Sequence, residues 1–365
     1  MEKVDTSVPV TVTTDRTLRI KVIDSCGMTC NFCHNEGTAV SVDNRRRSPG
    51  PYSGSGASGR VSIYAATNGA RFLSAPILPT GEFQNCLDRL RESMGFNEVH
   101  LTGGEPTLHP RLPALITVTR QAGYRVSITS NGENGERVLT DCAKAGLGHI
   151  NFSIFGTTPQ ELALVQHARF RTSGLASGKI NALDRSIRLA TDLGLESRAN
   201  IVLPNRKHVD RVRRLLDKYT PALSVRVLSS LADGQESLDA IDQLINDLGA
   251  ELESVGLIAG TSGFRMNYRL PGGRPLTVKH IRPTRLPVTC SGCRFNNSTD
   301  CEESYYGIRL YRDTSGTFQV GICIQRMDLC LPVEEFLGSD IREEVIRLRT
   351  TDHDHLTRSI SPGVT

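Results

Sequence analysis

Leu18-Arg-Ile-Lys-Val-Ile-Asp24 alternates apolar and polar side chains at the two-residue period of a strand. Short β-rich runs return at 98–102, 124–129, 149–155, 198–203 and 224–228. Between them apolar residues recur every three or four positions, as on a helix with one buried face. Phe83, Cys86, Leu87, Leu90 and Met94 form the clearest such series. Further helices are expected at 112–121, 136–145, near 158–166, and at 180–193, 208–218 and 237–248. Six strands alternating with helices from residue 18 to about 250 predict a parallel sheet with helices outside it. Six units are too few for an eight-fold barrel, so the expected fold is α/β, a partial (β/α)6 TIM-like barrel.

The pattern changes after residue 255. Residues 264–270 and 275–281 flank Pro271-Gly-Gly-Arg274 and read as a β-hairpin. Residues 306–312 and 317–323 flank Asp313-Thr-Ser-Gly316 and read as a second. Together they define a small β-hairpin, cysteine-rich module at 256–331. A helix over about 333–350 follows, and the chain beyond Thr351 is expected to be loose. The domain reading is an N-terminal extension at 1–17, the barrel at 18–255, the module at 256–331, and a C-terminal helix and tail at 332–365. Within the barrel, residues 41–60 carry Arg45-Arg46-Arg47 and a Ser/Pro/Gly-rich run, the composition of a flexible loop.

The 365 residues are 38% apolar and 22% charged, as in a folded globular chain. A net charge of +4 is small for this length. It makes no case for a nucleic-acid polymer or a membrane as partner, neither of which is expected, and suits a small-molecule substrate of anionic character. No apolar run approaches a membrane span, and residues 1–14 lack a basic then apolar leader, so a cytoplasmic protein is expected. Ten cysteines in a reducing compartment read as metal ligands before disulfides.

Cys26, Cys30 and Cys33 follow the first strand with C-x3-C-x2-C spacing. Three occupants are open. An iron–sulfur cluster would keep one iron for a non-protein ligand. A c-type haem would use Cys30-Asn-Phe-Cys33-His34 and leave Cys26 idle. A structural zinc would want a fourth ligand nearby. After the second strand comes Gly103-Gly104-Glu105-Pro106, where two glycines let the backbone approach a ligand closely and a carboxylate stands beside them. A second set comprises Cys290, Cys293, Cys301, Cys323 and Cys330, and its C-x2-C half is also the half of a four-cysteine zinc knuckle. Cys86 and Cys142 lie on apolar helix faces and read as small hydrophobes.

The cysteine loop and the Gly-Gly-Glu-Pro turn, in this order on successive strands, resemble the radical S-adenosylmethionine (SAM) superfamily. The stretch from Cys290 to Cys323 resembles the C-terminal auxiliary-cluster (twitch/SPASM-like) modules of that superfamily, above all in its GTP 3′,8-cyclase group. The resemblance implies a [4Fe-4S] cluster on Cys26, Cys30 and Cys33 whose open iron is chelated by SAM. It implies SAM contacts from Gly103, Gly104, Glu105 and Pro106, from Ser130, Asn131, Ser153, Arg198 and Asn200, and adenine packing by Phe32, Val202 and Leu203. It also implies a second iron–sulfur cluster, again [4Fe-4S], on Cys290, Cys293 and Cys323. Here the insertion at 296–303 offers Cys301 as a fourth ligand that would close the cluster, while Cys330 is a spare thiol by default, with a ligand or a substrate-side hydrogen donor as its alternatives. The glycine-rich arginine tail of a GTP cyclase is missing, which weighs against that activity. No catalytic side chain is assigned.

The implied enzyme cleaves SAM reductively, with an electron from a flavodoxin or ferredoxin. The 5′-deoxyadenosyl radical then abstracts hydrogen from a nucleotide, nucleoside or sugar derivative in cofactor or specialised-metabolite biosynthesis. Two alternatives remain. One is a SPASM-type maturase of a ribosomal peptide, which the roughly seventeen residues before the first strand disfavour, since such enzymes often add a peptide-recognition domain there. The other is a zinc- or cluster-bearing binding protein with no enzymatic activity.

Overall fold

A computed structural model describes residues 8–47, 50–297, 300, 301 and 303–360. Ser48 and Pro49 of the expected loop, and Ser298, Thr299 and Glu302 of the insertion, lie outside the described residues, as do the start of the extension and the end of the tail.

The strands are β1 Val10–Thr14, β2 Thr17–Ile23, β3 Glu98–Gly103, β4 Arg125–Ser130, β5 Leu147–Ile154, β6 Glu196–Leu203, β7 Leu223–Ser229, β8 Glu251–Ala259, β9 Gly263–Arg269, β10 Pro275–Ile281, β11 Ile308–Arg312, β12 Phe318–Gly321 and β13 Leu331–Pro332. The α-helices are α1 Ser41–Asn44, α2 Gly81–Met94, α3 Leu112–Gln121, α4 Gly135–Lys144, α5 Pro159–Leu164, α6 Ser173–Asp192, α7 Val209–Lys218, α8 Gly234–Asp247, α9 Val333–Leu337 and α10 Asp340–Ile360. The alternation of strands and helices from β2 to α8 is that of the partial (β/α)6 TIM-like barrel.

The chain divides into two compact units. The cysteine-loop unit comprises residues 16–197 and 307–338; the hairpin unit comprises 1–15, 198–306 and 339–365. In the cysteine-loop unit the strand order is β5-β4-β3-β2-β11-β12-β13. The pairs from β5 to β11 are parallel, and β12 turns back antiparallel. In the hairpin unit the order is β1-β8-β9-β10-β7-β6. There β9 runs antiparallel to both β8 and β10, while β1–β8 and β10–β7 are parallel. Both expected hairpins form, and each extends a parallel sheet through β10 or β11. Residues 256–331 are accordingly shared between the two units.

Local chemistry accounts for the main elements. Thr80 caps α2 by accepting from the Phe83 amide at 3.4 Å, and Gly95, with φ of 66°, ends it in the left-handed region. The face between them buries Phe83, Cys86, Leu87, Leu90 and Met94. The segment after Thr351, expected to be loose, continues as helix to Ile360. The reason is tertiary: Asp352 accepts from the Gly260 amide at 2.7 Å and from Arg282 Nη1 at 2.9 Å.

Candidate cofactor site

β2, β3 and β4 are neighbours in parallel register, with Leu101 opposite both Ile20 and Ile128. Their carboxyl ends therefore open on the same rim, where α/β folds of this kind place their chemistry. Cys26 follows β2, Gly103-Gly104-Glu105 follows β3, and Ser130-Asn131 closes β4. The two glycines are sterically required. A Cβ on Gly103 would lie 2.4 Å from the Ile23 carbonyl oxygen, and one on Gly104 would lie 2.3 Å from those of Asp24 and Ser25. The contact also carries hydrogen bonds, from the Gly104 amide to Ile23 O and from the Glu105 amide to Ser25 O, both 2.8 Å.

Glu105 is fully enclosed, and its carboxylate is occupied by this chain. It accepts from the Thr107 amide at 2.9 Å and hydroxyl at 2.6 Å, from Ser130 Oγ at 2.7 Å and from the Asn131 amide at 2.6 Å. Burial raises its pKa, while the bonds from Thr107, Asn131 and Ser130 pull the other way. Glu105 thus locks the β3 turn to the end of β4, and Pro106 opens the short turn that follows it. Asn131 is left with its amide nitrogen 3.6 Å from Cys26 Sγ.

The three loop cysteines share one apolar patch with Met28, Leu162, Ala163, Ala176 and Ile180. Each sulfur receives an N–H donor: Cys26 from the Met28 amide at 3.4 Å, Cys30 from Gln166 Nε2 at 3.4 Å, and Cys33 from the Asn35 amide. Burial pushes the Cys30 thiol up to about 12, against the Gln166 bond, and raises Cys26 and Cys33 as well. An isolated thiolate is disfavoured here, so the sulfurs suit a metal centre that supplies the positive charge. Among the described residues no three His, Cys, Asp or Glu side chains form a ready-made metal cage. Soft donors on an apolar, N–H-lined surface with no fourth cysteine on the loop fit a cluster with one open iron. Phe32 is 46% exposed and meets Phe155 edge-on, with centroids 5.3 Å apart.

Sequence reasoning missed the buried charges that hold this loop. Lys21 points inward from β2 and donates to Asp24 Oδ1 at 2.8 Å, to Asn35 O at 3.2 Å and to Thr38 Oγ1. Asp24 also accepts from Arg60 Nη1 at 3.2 Å and from the Ser41 amide at 2.9 Å. Burial alone would raise the Asp24 carboxyl, but Lys21 and Arg60 hold it well below the ordinary range. Glu36 is depressed in the same way by Arg19 and Arg309, the latter at 3.0 Å. On the other side, Glu133 pairs with Lys179 and accepts from the Gly27 amide at 2.8 Å. The 41–60 segment, expected to be a flexible loop, contributes Arg60 to this network and buries Tyr52. Such long-range partners leave no mark in spacing, although a lysine between apolar strand residues is a faint one.

Ser153 is half-buried on β5 between the buried Phe152 and Ile154. Arg198, Asn200, Val202 and Leu203 lie on β6 in the hairpin unit. Val202 is 44% exposed and Leu203 is buried, so these neighbours face opposite sides of the strand. Asn200 Oδ1 is buried and has no hydrogen-bond partner among the described residues. Cys290, Cys293 and Cys301 occupy one loop of the hairpin unit. Its turns are closed by the Cys293 amide to Cys290 O at 3.1 Å and the Asn296 amide to Cys293 O at 2.9 Å. Arg285 is spent on this loop, donating to Cys301 O at 2.9 Å and Asn296 Oδ1 at 3.1 Å. Cys323 and Cys330 belong to the cysteine-loop unit, where Cys330 packs beside Tyr311 and Met327.

The family profile described as Radical SAM superfamily matches residues 20–219. A protein of Aeropyrum pernix named "Probable GTP 3′,8-cyclase" is 25% identical over 281 residues, covering 76% of this chain and 68% of its own. One of the same name from Saccharolobus solfataricus is 25% identical over 339 residues, covering 90% and 89%. Among solved structures, Streptococcus suis SuiB is 15% identical with a TM-score of 0.40, over 67% of this chain and 50% of that one. Native anSMEcpe with bound AdoMet is 16% identical with a TM-score of 0.41, over 66% and 62%. This chain thus spans about half the length of SuiB.

Proposed function

This chain belongs to the radical SAM superfamily, and from that premise we propose that Cys26, Cys30 and Cys33 hold its [4Fe-4S] cluster and that SAM binds beside it, over Gly103-Gly104. The observation that carries this reading is the close approach of those glycines to residues 23–25 at the entrance to the cysteine loop. Held by Cys26, Cys30 and Cys33, the reduced cluster would supply one electron to SAM, whose sulfonium C–S bond would break to methionine and a 5′-deoxyadenosyl radical. The protein's own part is to seat, orient and enclose. Glu105, Ser130 and Asn131 fix the rim on which the cofactor rests. Ser153, Arg198, Asn200, Val202, Leu203 and Phe32 are the further SAM contacts in this reading.

The substrate is a small molecule, and a nucleotide, nucleoside or sugar derivative is the class favoured by relatives named for GTP cyclisation. Cys290, Cys293, Cys301 and Cys323 are proposed to hold a second [4Fe-4S] cluster closed by four thiolates, which serves structure or electron transfer rather than substrate binding. A flavodoxin or ferredoxin is the proposed electron donor, in the cytoplasm. No described helix is long and apolar enough to cross a membrane. The test is anaerobic: iron and sulfide are measured, then 5′-deoxyadenosine formed from SAM after reduction, with candidate nucleotides carrying deuterium. Deuterium in the 5′-deoxyadenosine identifies the substrate. Protein that binds zinc alone and forms no 5′-deoxyadenosine refutes the proposal.

A further inference from the structure

Gln166 follows α5 and is buried, though neither the cysteine motif nor the Gly-Gly-Glu-Pro turn points to it. Its amide has two faces with different tasks. Oε1 accepts from the Thr29 amide at 2.8 Å and from Thr29 Oγ1 at 3.3 Å. Two donors on that oxygen fix the orientation of the group, so Nε2 must be the atom turned to Cys30 Sγ, 3.4 Å away. The backbone on both sides is tied to the loop as well. The Asn31 amide donates to Val165 O at 2.9 Å, and the His167 amide donates to Thr29 O at 2.8 Å. The backbone on either side of Gln166 is therefore fixed to the loop, and its buried side chain is held by the two Thr29 donors.

We infer that Gln166 is a positioning residue for the cysteine loop: it aims Cys30 and raises the reduction potential of the cluster bound there. The inference rests on the reading of Cys26, Cys30 and Cys33 as cluster ligands. Hydrogen bonds to cluster sulfurs are among the terms that set such potentials. A donor at the sulfur stabilises the reduced cluster more than the oxidised one, because the reduced cluster is more electron-rich. Asn131 makes the analogous bond to Cys26 at 3.6 Å, but its Oδ1 accepts from the Glu133 amide next to it rather than from the cysteine loop.

The test compares wild type with Gln166→Glu and Gln166→Leu, reconstituted anaerobically with iron and sulfide. The glutamate keeps the acceptors for Thr29, removes the donor and adds a negative charge. The leucine removes both faces and leaves the backbone bonds. Both variants are expected to load the wild-type iron content and to show a lower midpoint in potentiometry followed by electron paramagnetic resonance. Poised at the wild-type midpoint, the reduced fraction of the first cluster should fall from one half to about one tenth or lower, the roughly tenfold change such a bond to a charged group is worth. An iron-replete Gln166→Glu protein with an unchanged midpoint overturns the inference. So does failure of both variants to load iron, since the backbone bonds should still seat the loop. Wild type without iron or sulfide would overturn the cluster reading itself, a separate result.

Discussion

Replacing Gly104 with alanine tests the close approach on which the site is built. The new Cβ would stand 2.3 Å from the carbonyl oxygens of Asp24 and Ser25 and 2.6 Å from the Ser25 carbonyl carbon. Ordinary contact begins at 3.4 Å, and every obstacle is backbone, so no side chain can turn aside. The segment entering the cysteine loop must retreat by about 1 Å, an overpacking that costs about 1–3 kcal/mol. The retreat also stretches the two 2.8 Å bonds from the Gly104 and Glu105 amides, which places the cost toward the upper end. Urea unfolding of the apo protein reads this directly, and iron retention against a chelator reads the displacement of Cys26. Gly81→Ala is the control: it opens α2 with nothing within 4 Å of its Cβ, and is expected to be neutral or slightly stabilising. A Gly104→Ala protein within about 0.5 kcal/mol of wild type and with full iron retention would refute the reasoning.

Three further predictions follow from the same geometry. Arg309→Met leaves Glu36 buried without its 3.0 Å partner and should cost about 3–5 kcal/mol in chemical denaturation, much of it regained in the Arg309→Met/Glu36→Gln double variant; no recovery would argue against the ion pair as the cause. The depressed carboxyls of Asp24 and Glu36 contribute stability that is complete above the ordinary carboxylate range and lost as pH falls through it. Thermal midpoints should therefore drop below about pH 4, and less steeply in Asp24→Asn, with parallel curves as the contrary result. Cys301→Ser should lower the iron content or change the spectrum of the second cluster; unchanged content and spectra would remove Cys301 from the ligand set.

The elements legible in the sequence were those whose own pattern decides them. β2, β3 and α2 carry clean periods, and the two hairpins carry their turn residues. α6 is expected only from 180, because Gly174 and Gly178 depress the helix propensity of its first turns, but it begins at Ser173, capped by Thr172. β1 and β8 were not expected: β1 is held by β8 in a parallel pair some 240 residues away in sequence, a distance no local window spans, while β8 also pairs antiparallel with β9 across a short turn whose first strand carries no clean alternation. The site divides in the same way. Three cysteines and two glycines announce themselves because their spacing is their chemistry. Gln166, Glu133, Lys179 and Arg309 act through partners far along the chain, so they read as ordinary polar residues until the fold brings them together.

Those hidden residues answer a problem that the motif creates. The stretch from Asp24 to Thr38 contains only one short 3-10 turn, so its backbone groups cannot satisfy one another as a helix would. It also passes through three consecutive left-handed residues, with φ of 48° at Asn35, 53° at Glu36 and 80° at Gly37. For a glutamate that conformation costs about 1–2 kcal/mol and persists only where the surroundings insist on it. They do: Lys21 donates to Asn35 O at 3.2 Å, Tyr311 Oη to Glu36 O at 2.8 Å, and Asn68 Nδ2 to Gly37 O at 2.6 Å. A side chain at Gly37 is excluded as well, because its Cβ would meet the Ile324 backbone at 2.9 Å. The loop is thus shaped by this chain's own groups, and part of what shapes it comes from β11 and the segment after β12. That segment carries Cys323, and Asn68 Nδ2 ties it to the loop by donating to both Gly37 O and Ile324 O.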